Sequence, residues 1–528
     1  MRRKALAFVV WSLAHAAAAQ TFLPLSRVVE TPYRGVLHKY RNTPHTAIRP
    51  YLEEDLRALP GADTLLPRAH FPWLDSLATR GPVTWGPLVD ATAGVQNNAD
   101  QPMTHRLGAG LWATWKARPN LTLHADGQYL SQGMAAYLDT LFRATRATLG
   151  EGYAHGDGPF NHFDWNAYAS LKVDRWFNFT LGRGKHFLGE GYRSLLLSDN
   201  ATSYPYFKLT ATFWHVRYMV LFAQLNDIRG AAADPADRLK KFASFHYLSW
   251  NASKRLNFAV FEAVVWQDND PAYPRGFDIN YLNPAVFLRP VEFSIGSPDN
   301  ALLGFAANVL VGNHTKLYGQ VVLDEFLTYE VRAGNGWFGN KQAFQLGAVA
   351  YEAFKVKGLM VRGEFNYVRP FMYTHSDTRQ NYSHFGQPLA HPYGSNFREV
   401  LVQTEWRRGR WDHWVLGSMA TLGSDTGAYS YGNNIFRPES DRPLRDPIRR
   451  ENYGFYVGHV VPVQLLVAEV GTGWLIDPRT GLRLEAAYLF RTRTTEGAPD
   501  QQTHWFRVGL ATNLRSRDHL QEVRYVLH

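Results

Sequence analysis

The sequence predicts an all-β protein, a transmembrane antiparallel β-barrel of about 18 strands, with about 16 as an alternative count. Three observations predict this fold. From Trp85 onward, apolar and polar residues alternate with a period of two, which is typical of strands with two different faces. The candidate strands come in close pairs that are separated by longer insertions. No stretch after Gln20 approaches the roughly 20 consecutive apolar residues that a membrane-spanning helix needs.

Seven segments show the alternation most clearly. In one of them, Val361 and Phe365 lie on one predicted face, and Arg362 and Glu364 lie on the other. The seven segments are 121–129, 163–172, 207–213, 359–367, 399–407, 482–491 and 506–513. Less regular candidates lie near 85–95, 105–116, 176–184, 217–226, 242–252, 255–267, 301–311, 315–326, 342–354, 410–421 and 464–476. Many of them are close to the roughly 9–11 residues that cross a bilayer as a tilted strand.

Charged residues in the middle of strands leave two interpretations open. A soluble β-sandwich could turn residues such as Arg362, Glu364, Arg483 and Glu485 toward bulk water. In a membrane barrel, the apolar face contacts outer-membrane lipid, the charged face borders a water-filled lumen, and closure removes every unpaired strand edge. The rhythm of short turns and long insertions favours the barrel, and with it the bacterial outer membrane.

The chain divides into three predicted parts. Residues 1–19 have a basic start, a short apolar run and an Ala-rich cleavage site before Gln20, which are the features of a secretory signal peptide. Residues 20–84 are rich in proline and form a predicted, partly helical periplasmic segment, for which a plain linker is the alternative. Within it, residues 51–59 place three leucines on one helix face, and residues 71–77 repeat this pattern more weakly. Residues 85–528 form the predicted barrel with long outer loops. Two of these loops are 131–160, with a predicted helix over 135–149, and 268–300.

Composition excludes several functional classes. Cysteine is absent, so disulfides, thiolate chemistry and Cys-ligated zinc are excluded. The net charge is +10, but the 56 basic residues are dispersed among 46 acidic residues, so nucleic acid is not a predicted partner. The 27 tyrosines and 16 tryptophans together outnumber the 32 phenylalanines. Tyr and Trp favour surfaces where apolar atoms meet water, such as membrane girdles or sugar-binding platforms.

Motifs typical of enzymes are missing from the sequence. It has neither a Gly-x-Ser-x-Gly nucleophile elbow nor a His-Glu-x-x-His zinc motif. Asp324 and Glu325 are adjacent in a predicted strand and therefore point to opposite faces, so they cannot easily share a proton. We expect one of these carboxylates to form a salt bridge in the lumen. We therefore predict a protein that is not an enzyme and that uses no cofactor and no metal.

Residues 182–200 form a stretch that is dense in glycine and charge and is flanked by predicted strands. Glycines allow positive φ angles and close backbone approach, so the stretch is predicted to be a shaped turn. Its basic side chains could bind an acidic polysaccharide through charge-assisted hydrogen bonds. They could equally pair with its own Glu190 and Asp199 to brace the barrel wall, and this second interpretation is slightly favoured.

Residues 381–397 form a second candidate segment, which gathers amides, two histidines and several aromatic rings. Such side chains suit carbohydrate contact or a constriction loop folded into the lumen, and a loop held by its own hydrogen bonds is the alternative. Two histidines seven residues apart are only a weak metal-site pattern. The residues proposed for glycan contact or a lumen network are Arg183, Lys185, Glu190, Tyr192, Arg193, Asp199, Asp324, Asn381, His384, Gln387, His391 and Asn396.

Several motifs carry a resemblance to a known family over nearly all of the mature chain. They are His45–Tyr51, Gly182–Asp199, Tyr204–Phe207, Asp299–Asn300, Leu323–Phe326 and Asn381–Asn396. With them, the chain resembles the Wzi-type capsule-assembly outer-membrane barrels and, more closely, their relatives labelled gliding motility protein RemB. The resemblance implies a barrel of about eighteen strands with helical elements at the periplasmic end.

The same resemblance implies a function. It implies that the chain binds, anchors or helps to assemble surface polysaccharide, either capsular polysaccharide or exopolysaccharide. The gliding label adds a link to motility and, as further partners, proteins of a motility or secretion machinery. Two alternatives stay open, a passive porin-like solute channel and a structural component of such a machinery.

Overall fold

The computed structural model describes residues 20–39, 44–61, 70–71, 81–98, 100–229, 234–269, 276–284 and 299–515. The predicted signal peptide lies outside these ranges, as does most of a weaker helical pattern at 71–77. Within the described ranges, eighteen strands form one closed antiparallel barrel. The predicted β-barrel and its count of eighteen are therefore confirmed, and both the sandwich and the count of sixteen are wrong.

The barrel strands are numbered here in chain order. They are β1 Val83–Gln96, β2 Met103–Arg118, β3 Leu121–Gly133, β4 Phe160–Lys172, β5 Phe177–Gly184, β6 Tyr204–Phe213, β7 Val216–Asp227, β8 Leu239–Asn251, β9 Leu256–Gln267, β10 Asn300–Val311, β11 Thr315–Leu323, β12 Gln342–Tyr351, β13 Leu359–Val368, β14 Phe397–Arg408, β15 Trp411–Gly423, β16 Pro462–Asp477, β17 Leu482–Thr495 and β18 Gln501–Ala511. The α-helices of the described ranges are α1 Arg27–Leu37, α2 Glu53–Arg57, α3 Ala136–Thr145 and α4 Thr328–Ala333.

The barrel is a simple meander. Each strand pairs with the next strand of the chain, and β18 closes the cylinder by pairing with β1, from Asp90 opposite Ala511 to Gln96 opposite Trp505. A closed sheet leaves no row of unpaired backbone groups, which is the condition for a sheet to lie in hydrocarbon.

The two faces of the strands follow the predicted alternation. On β13, Arg362 and Glu364 are buried inside the barrel, whereas Phe365 points outward and is 39% exposed. On β14, Val400 and Val402 point outward in the same way, and Glu399 is fully buried inside. The outer surface is thus an apolar belt, which suits contact with lipid tails.

Connections of different length lie at the two ends of the barrel. Turns such as 214–215 and 409–410 have two residues, whereas 369–396 and 424–461 are long. In outer-membrane barrels the short turns face the periplasm and the long loops face outward. We refer to the two ends as the short-turn end and the long-loop end.

The interior of the barrel is filled by chain rather than by water alone. The charged strand faces predict a water-filled lumen, and residues 381–397 are a candidate constriction loop within it; in the structure, residues 185–203 and 369–396 both fold inward and fill its middle. Leu195, Leu196 and Leu197 of the first segment are fully buried in a core that also contains Phe245 of the barrel wall. The inward position of 381–397 agrees with the constriction-loop interpretation, whereas the filling by 185–203 was not predicted, because a period of two identifies the two faces of a strand and carries no information on what fills the lumen.

The N-terminal helix is present, and it packs inside the short-turn end. The His38 ring, just after α1, stacks on Tyr351 of β12 with ring centroids 4.4 Å apart. Arg34 of α1 forms an ion pair with Glu405 of β14. Further along, Ile48 pairs with Leu188 in a two-residue antiparallel ladder. The segment is therefore anchored to both the wall and the inward-folded chain.

Two predicted helices are shorter in the structure. The helix predicted from residues 51–59 is only α2, and its Leu56 is buried. The helix predicted over 135–149 ends at Thr145, because Arg146 adopts a left-handed conformation with φ of 53°.

Part of one predicted outer loop lies against the outside of the barrel. Residues 276–284 belong to the connection between β9 and β10, and Tyr281 packs on the outward-facing Trp266 with ring centroids 4.7 Å apart. The Tyr218 hydroxyl of β7 donates a hydrogen bond to the Pro284 carbonyl at 2.6 Å. This arrangement could not be predicted from the sequence, since loop length alone does not indicate on which side a loop folds.

Candidate functional site

One carboxylate of the inner wall holds the inward-folded segment by its backbone. Glu364 of β13 accepts hydrogen bonds from the N–H groups of Tyr192 and Arg193, at 2.7 and 3.1 Å. The Tyr318 hydroxyl of β11 donates to the same carboxylate at 2.8 Å. Three donors converge on this one side chain, so Glu364 fixes the segment to the wall.

Two glutamines extend this arrangement along the wall. Gln320 of β11 accepts from the Leu195 N–H at 2.9 Å and donates to the Leu188 carbonyl at 3.3 Å. Gln345 of β12 donates to the Arg193 carbonyl at 3.1 Å. We call Gln320, Gln345 and Glu364 the wall ladder. It supplies the hydrogen bonds that an irregular buried backbone cannot make within itself.

The glycines of the predicted turn permit this close contact. Gly189 has φ of 136°, and a Cβ there would collide with the Gln320 amide. A Cβ on Gly191 would lie 2.5 Å from Glu364 Oε2. Both positions require a residue without a side chain, so the glycine density of the sequence reflects close approach to the wall ladder.

A second carboxylate joins both inward segments to the wall. Glu399 of β14 is fully buried and accepts from His391 Nε2 at 2.8 Å, from the Asn366 amide at 3.0 Å and from the Ser418 hydroxyl at 2.6 Å. Arg193 Nη2 lies 3.6 Å from Glu399 Oε1, the oxygen that also accepts from Ser418. Burial lowers the pKa of His391, although the neighbouring Glu399 opposes this shift. These partners offset the cost of removing the Glu399 carboxylate from water.

The remaining charges of the 182–200 stretch reach other partners than expected. Glu190 forms an ion pair with Lys316 of β11 at 3.0 Å, and Lys185 Nζ donates to the Asp199 backbone carbonyl at 3.1 Å. The pairing of Arg193 with Glu190 or Asp199 that we favoured is therefore not the one observed. The bracing partners are Glu399 and Lys316, which lie on the wall and were invisible to local sequence inspection.

Arg183 occupies a different environment. Its guanidinium lies 4.9 Å from the centre of the Trp165 ring, within the range of a cation–π contact. Among the described residues no carboxylate forms an ion pair with it.

The polar side chains of the 381–397 segment are engaged by the protein itself. Lys241 Nζ donates to both the backbone carbonyl and the side-chain oxygen of Asn381, each at 2.8 Å. His384 Nδ1 accepts from the Asn226 N–H at 2.9 Å. Burial lowers the pKa of His384 well below its usual value, which keeps the ring neutral and able to accept this bond.

The other two amides of the segment behave in the same way. The Gln387 side-chain oxygen accepts from the Gly150 N–H at 2.7 Å, and the Asn396 side-chain oxygen accepts from the Gly458 N–H at 3.0 Å. All five candidates of this loop, including His391, are buried. These five side chains therefore belong to the hydrogen-bond network of the lumen. Because they are buried, a large external ligand can reach only the exposed long-loop end.

Asp324 lies just beyond the end of β11 in a buried charged cluster. It accepts from the Tyr373 N–H at 3.2 Å. Burial raises the pKa of Asp324 to about 7, although the nearby Lys341 opposes the shift. Lys341 itself lies 3.6 Å from Glu325 and forms an ion pair with Glu439. Of the acidic pair, Glu325 forms the salt bridge, and it does so from a half-exposed position beyond the end of β11 rather than inside the lumen.

Sequence reasoning missed the residues that hold the N-terminal segment. Arg49 pairs with Glu30 at 3.4 Å and donates to the Gly189 carbonyl at 3.3 Å. Arg217 of β7 pairs with Asp55 at 2.7 Å. The inward positions of β11 to β14 carry an unusual run of Gln, Glu and Asn, and that run is the signal from which the wall ladder could have been found.

The long-loop end presents exposed tyrosines. Tyr329 of α4 is 78% exposed, and the Tyr453 and Tyr456 rings from the 424–461 connection lie beside the same helix. The Tyr453 hydroxyl donates to Glu330 at 3.3 Å, and the Tyr456 hydroxyl donates to the Gly334 carbonyl at 3.1 Å. The exposed arginines of these two segments are Arg332, Arg445, Arg449 and Arg450. We call these tyrosines and arginines the loop-end surface.

In the described ranges, no group of three or more His, Asp or Glu side chains is arranged to hold a metal ion. No α-helix of these ranges is both long and apolar enough to cross a membrane.

A closed eighteen-stranded barrel with an apolar outer belt defines the class of this protein, which is a bacterial outer-membrane β-barrel. Among solved structures, its fold is similar to Wzi, an outer-membrane protein of Escherichia coli involved in group 1 capsule assembly and described as a carbohydrate-binding β-barrel. The TM-score is 0.54 at 12% identity, over 93% of this chain and 99% of Wzi.

Two Pseudomonas aeruginosa outer-membrane proteins give weaker matches. OpdK has a TM-score of 0.43 at 10% identity, over 81% of this chain and 97% of OpdK. OprD has a TM-score of 0.41 at 8% identity, over 84% of this chain and 96% of OprD. No protein-family model matches the chain, and no curated protein matches it either. The likeness to Wzi therefore shows a shared fold, and the resemblance to RemB-type proteins stays a prediction.

Proposed function

We propose that this outer-membrane barrel binds surface polysaccharide at its long-loop end and anchors it to the cell, without catalysing a reaction. The observation that carries the proposal is the filled lumen. Leu195, Leu196 and Tyr382 are fully buried in the barrel's middle, where an open channel would need water. A barrel whose interior is packed and hydrogen-bonded is suited to holding a ligand at its outer surface.

The chemistry of the loop-end surface supports the same proposal. Tyrosine rings offer flat apolar faces to the C–H side of sugar rings, and their hydroxyls bond to sugar hydroxyls. Exposed arginines offer paired donors to carboxylates or sulfates of an acidic glycan. The fold shared with Wzi, which is described as carbohydrate-binding, agrees with this assignment.

The proposal is tested by binding of the purified barrel, in detergent, to surface polysaccharide extracted from the same cells. The triple variant Tyr329→Ala, Tyr453→Ala, Tyr456→Ala should bind at least tenfold more weakly. Phe354→Ala is the matched control, because this ring is 86% exposed at the opposite, short-turn end. Equal binding by the triple variant and the wild type would contradict the proposal.

Deletion of the gene tests the proposal in cells. The polysaccharide layer, imaged by electron microscopy, should detach or thin, and wild-type expression should restore it. An unchanged layer would count against anchoring. Planar-bilayer recordings distinguish this proposal from the alternative of a porin-like solute channel. Such a channel should conduct small ions steadily, and a filled barrel should not.

We also propose that a link to surface movement, if the cells glide, would act through the anchored polysaccharide. In that case the deletion strain should spread more slowly, and the triple tyrosine variant should reproduce the defect. Slow spreading with a normal polysaccharide layer would instead indicate a structural role in a motility or secretion machinery.

A further inference from the structure

A cavity at the short-turn end lies between the N-terminus of α1 and the wall formed by β14 to β18. It contains about 980 Å³ of empty space, partly open to solvent. Ser26 and Arg27 line it on the helix side, Arg407 and Asp412 line it on the wall side, and Tyr192 borders it toward the middle of the barrel. We call it the helix–wall cavity. It is remote from the loop-end surface, which lies at the other end of the barrel.

Most charges of the cavity are neutralised by neighbours. Arg507 pairs with Glu469 at 2.6 Å, and Arg483 pairs with Glu485 at 2.7 Å. Arg515 reaches across to Asp164 at 2.7 Å. These guanidinium groups are already committed to carboxylates of the protein.

Arg407 is only partly satisfied, because its ion pair with Asp412 is long and includes no hydrogen bond. Its two Nη atoms are buried and have no hydrogen-bond partner in the described part of the chain. Its ion-pair partner is Asp412, whose Oδ1 lies 3.7 Å from Arg407 Nε, too far for a hydrogen bond. Buried guanidinium donors are nearly always satisfied, so this fork is suited to an acceptor that enters the cavity.

Ser26 gives an independent indication. It occupies the N-cap position of α1, where a serine hydroxyl normally accepts an N–H of the first turn. Here the hydroxyl makes no capping bond, and it is buried without a hydrogen-bond partner in the described ranges. The first-turn N–H groups of a helix also have no partner within the helix, and they favour anions.

Asp412 adds an acceptor to this set of donors. Its Oδ1 atom is likewise buried without a hydrogen-bond donor among the described residues. A simple anion would satisfy Arg407 and leave Asp412 unpaired or repelled. A ligand that carries an oxyanion together with hydroxyl groups would satisfy both side chains and Ser26.

We propose that the helix–wall cavity binds a hydroxylated carboxylate of the uronic-acid type from the periplasmic side. The carboxylate accepts two parallel hydrogen bonds from Arg407, and the ligand's hydroxyls donate to Asp412 and exchange hydrogen bonds with Ser26. Because Tyr192 borders the cavity and its N–H is held by Glu364, a bound ligand also contacts the segment that fills the barrel. The proposal is independent of the glycan site at the long-loop end.

The test is isothermal titration of the full barrel in detergent with glucuronate, glucose and inorganic phosphate as separate probes. Glucuronate should bind. Glucose and phosphate should bind more weakly, because glucose lacks the negative charge and phosphate lacks the hydroxyl groups of a sugar ring. Arg407→Gln should weaken glucuronate binding by about 10- to 100-fold, the range expected for lost charge-assisted hydrogen bonds. Arg408→Gln is the matched control, because Arg408 is the next residue in the chain and its side chain is exposed on the outer face.

Ser26→Ala keeps the proposal testable if Arg407→Gln fails to fold, because the Ser26 hydroxyl makes no bond that folding would lose. It should weaken glucuronate binding about three- to tenfold and leave the thermal unfolding midpoint of the unliganded protein unchanged. Absence of glucuronate binding to the wild type would overturn the proposal. So would phosphate binding as tightly as glucuronate, or full binding by both variants.

Discussion

Gly191 lies directly against Glu364, so close that a single methyl group on the glycine would sit 2.5 Å from the carboxylate oxygen. The contact exists because Glu364 accepts the next two backbone N–H groups of the chain. Through it, one wall residue sets the position of the segment that fills the barrel. The inward-folded segment can therefore keep its place in the lumen only if residue 191 has no Cβ atom.

Gly191→Ala should loosen the inward-folded segment. The added methyl group also meets the Arg193 carbonyl at 2.5 Å, so the segment must shift at a cost of about 1–3 kcal/mol. The measurement is the guanidinium unfolding midpoint in detergent, together with bilayer conductance. Gly363→Ala is the control on the same strand as Glu364, because a Cβ there has no atom within 4 Å. Equal midpoints for the two variants would contradict the close contact.

Arg193→Ala should destabilise the fold far more than Arg183→Ala. Arg193 faces the fully buried Glu399, and removal of one partner of a buried ion pair costs about 3–5 kcal/mol. Arg183 only stacks on Trp165, a contact that contributes about 0.5–2 kcal/mol. Thermal unfolding of the three proteins in the same detergent measures both effects. Polysaccharide binding by the folded variants should be unchanged, and its loss without destabilisation would contradict a bracing role.

The double variant Tyr373→Phe, Tyr382→Phe should weaken the contact between the two inward segments. These hydroxyls donate to the carbonyls of Leu195 and Leu196 at 2.7 and 2.6 Å, and their loss leaves two buried acceptors unpaired at about 1–3 kcal/mol each. Hydrogen exchange over residues 188–200 should become faster. Tyr129→Phe, at a ring that is 58% exposed on the outer face, should leave this exchange unchanged.

The strands could be predicted from the sequence, and the interior could not. The alternation of Val361 and Phe365 with Arg362 and Glu364 reports a local property, because neighbouring strand residues point to opposite faces. The partner of Arg193 is a different kind of fact. Glu399 lies 206 residues away, and only closure of the barrel brings the two together. The local charges Glu190 and Asp199 were therefore assigned to the wrong partners.

The same reasoning explains the loop around His384 and His391. Amides and imidazoles suit sugar contacts and buried networks equally well, since both need donors and acceptors in fixed places. Composition identifies the chemistry of such a loop, whereas burial decides what it contacts. His391 meets Glu399 at 2.8 Å in the interior, a contact that no pattern within the loop specifies.

Asp324 makes stability depend on pH in a direction that can be predicted. Burial raises its pKa to about 7 in the folded protein, against 3.8 for an ordinary Asp. Between these two values the folded state holds a proton that the unfolded state has lost. The free energy of unfolding should therefore fall as the pH rises from about 4 to about 7, by at most about 1.4 kcal/mol per pH unit, and level off above pH 7.

Asp324→Asn should remove this dependence. The asparagine oxygen can still accept the Tyr373 N–H, and the neutral side chain avoids the cost of a buried charge. The variant should match the wild type near pH 4 and be more stable than it at pH 8, as measured by guanidinium unfolding in detergent across this range. Asp157→Asn, whose side chain is 80% exposed, is the control and should leave the profile of the wild type unchanged. If the stability of Asp324→Asn falls with pH as steeply as that of the wild type, the prediction is wrong. Another group would then titrate in this range, and Asp324 would be kept ionised in the folded protein by Lys341.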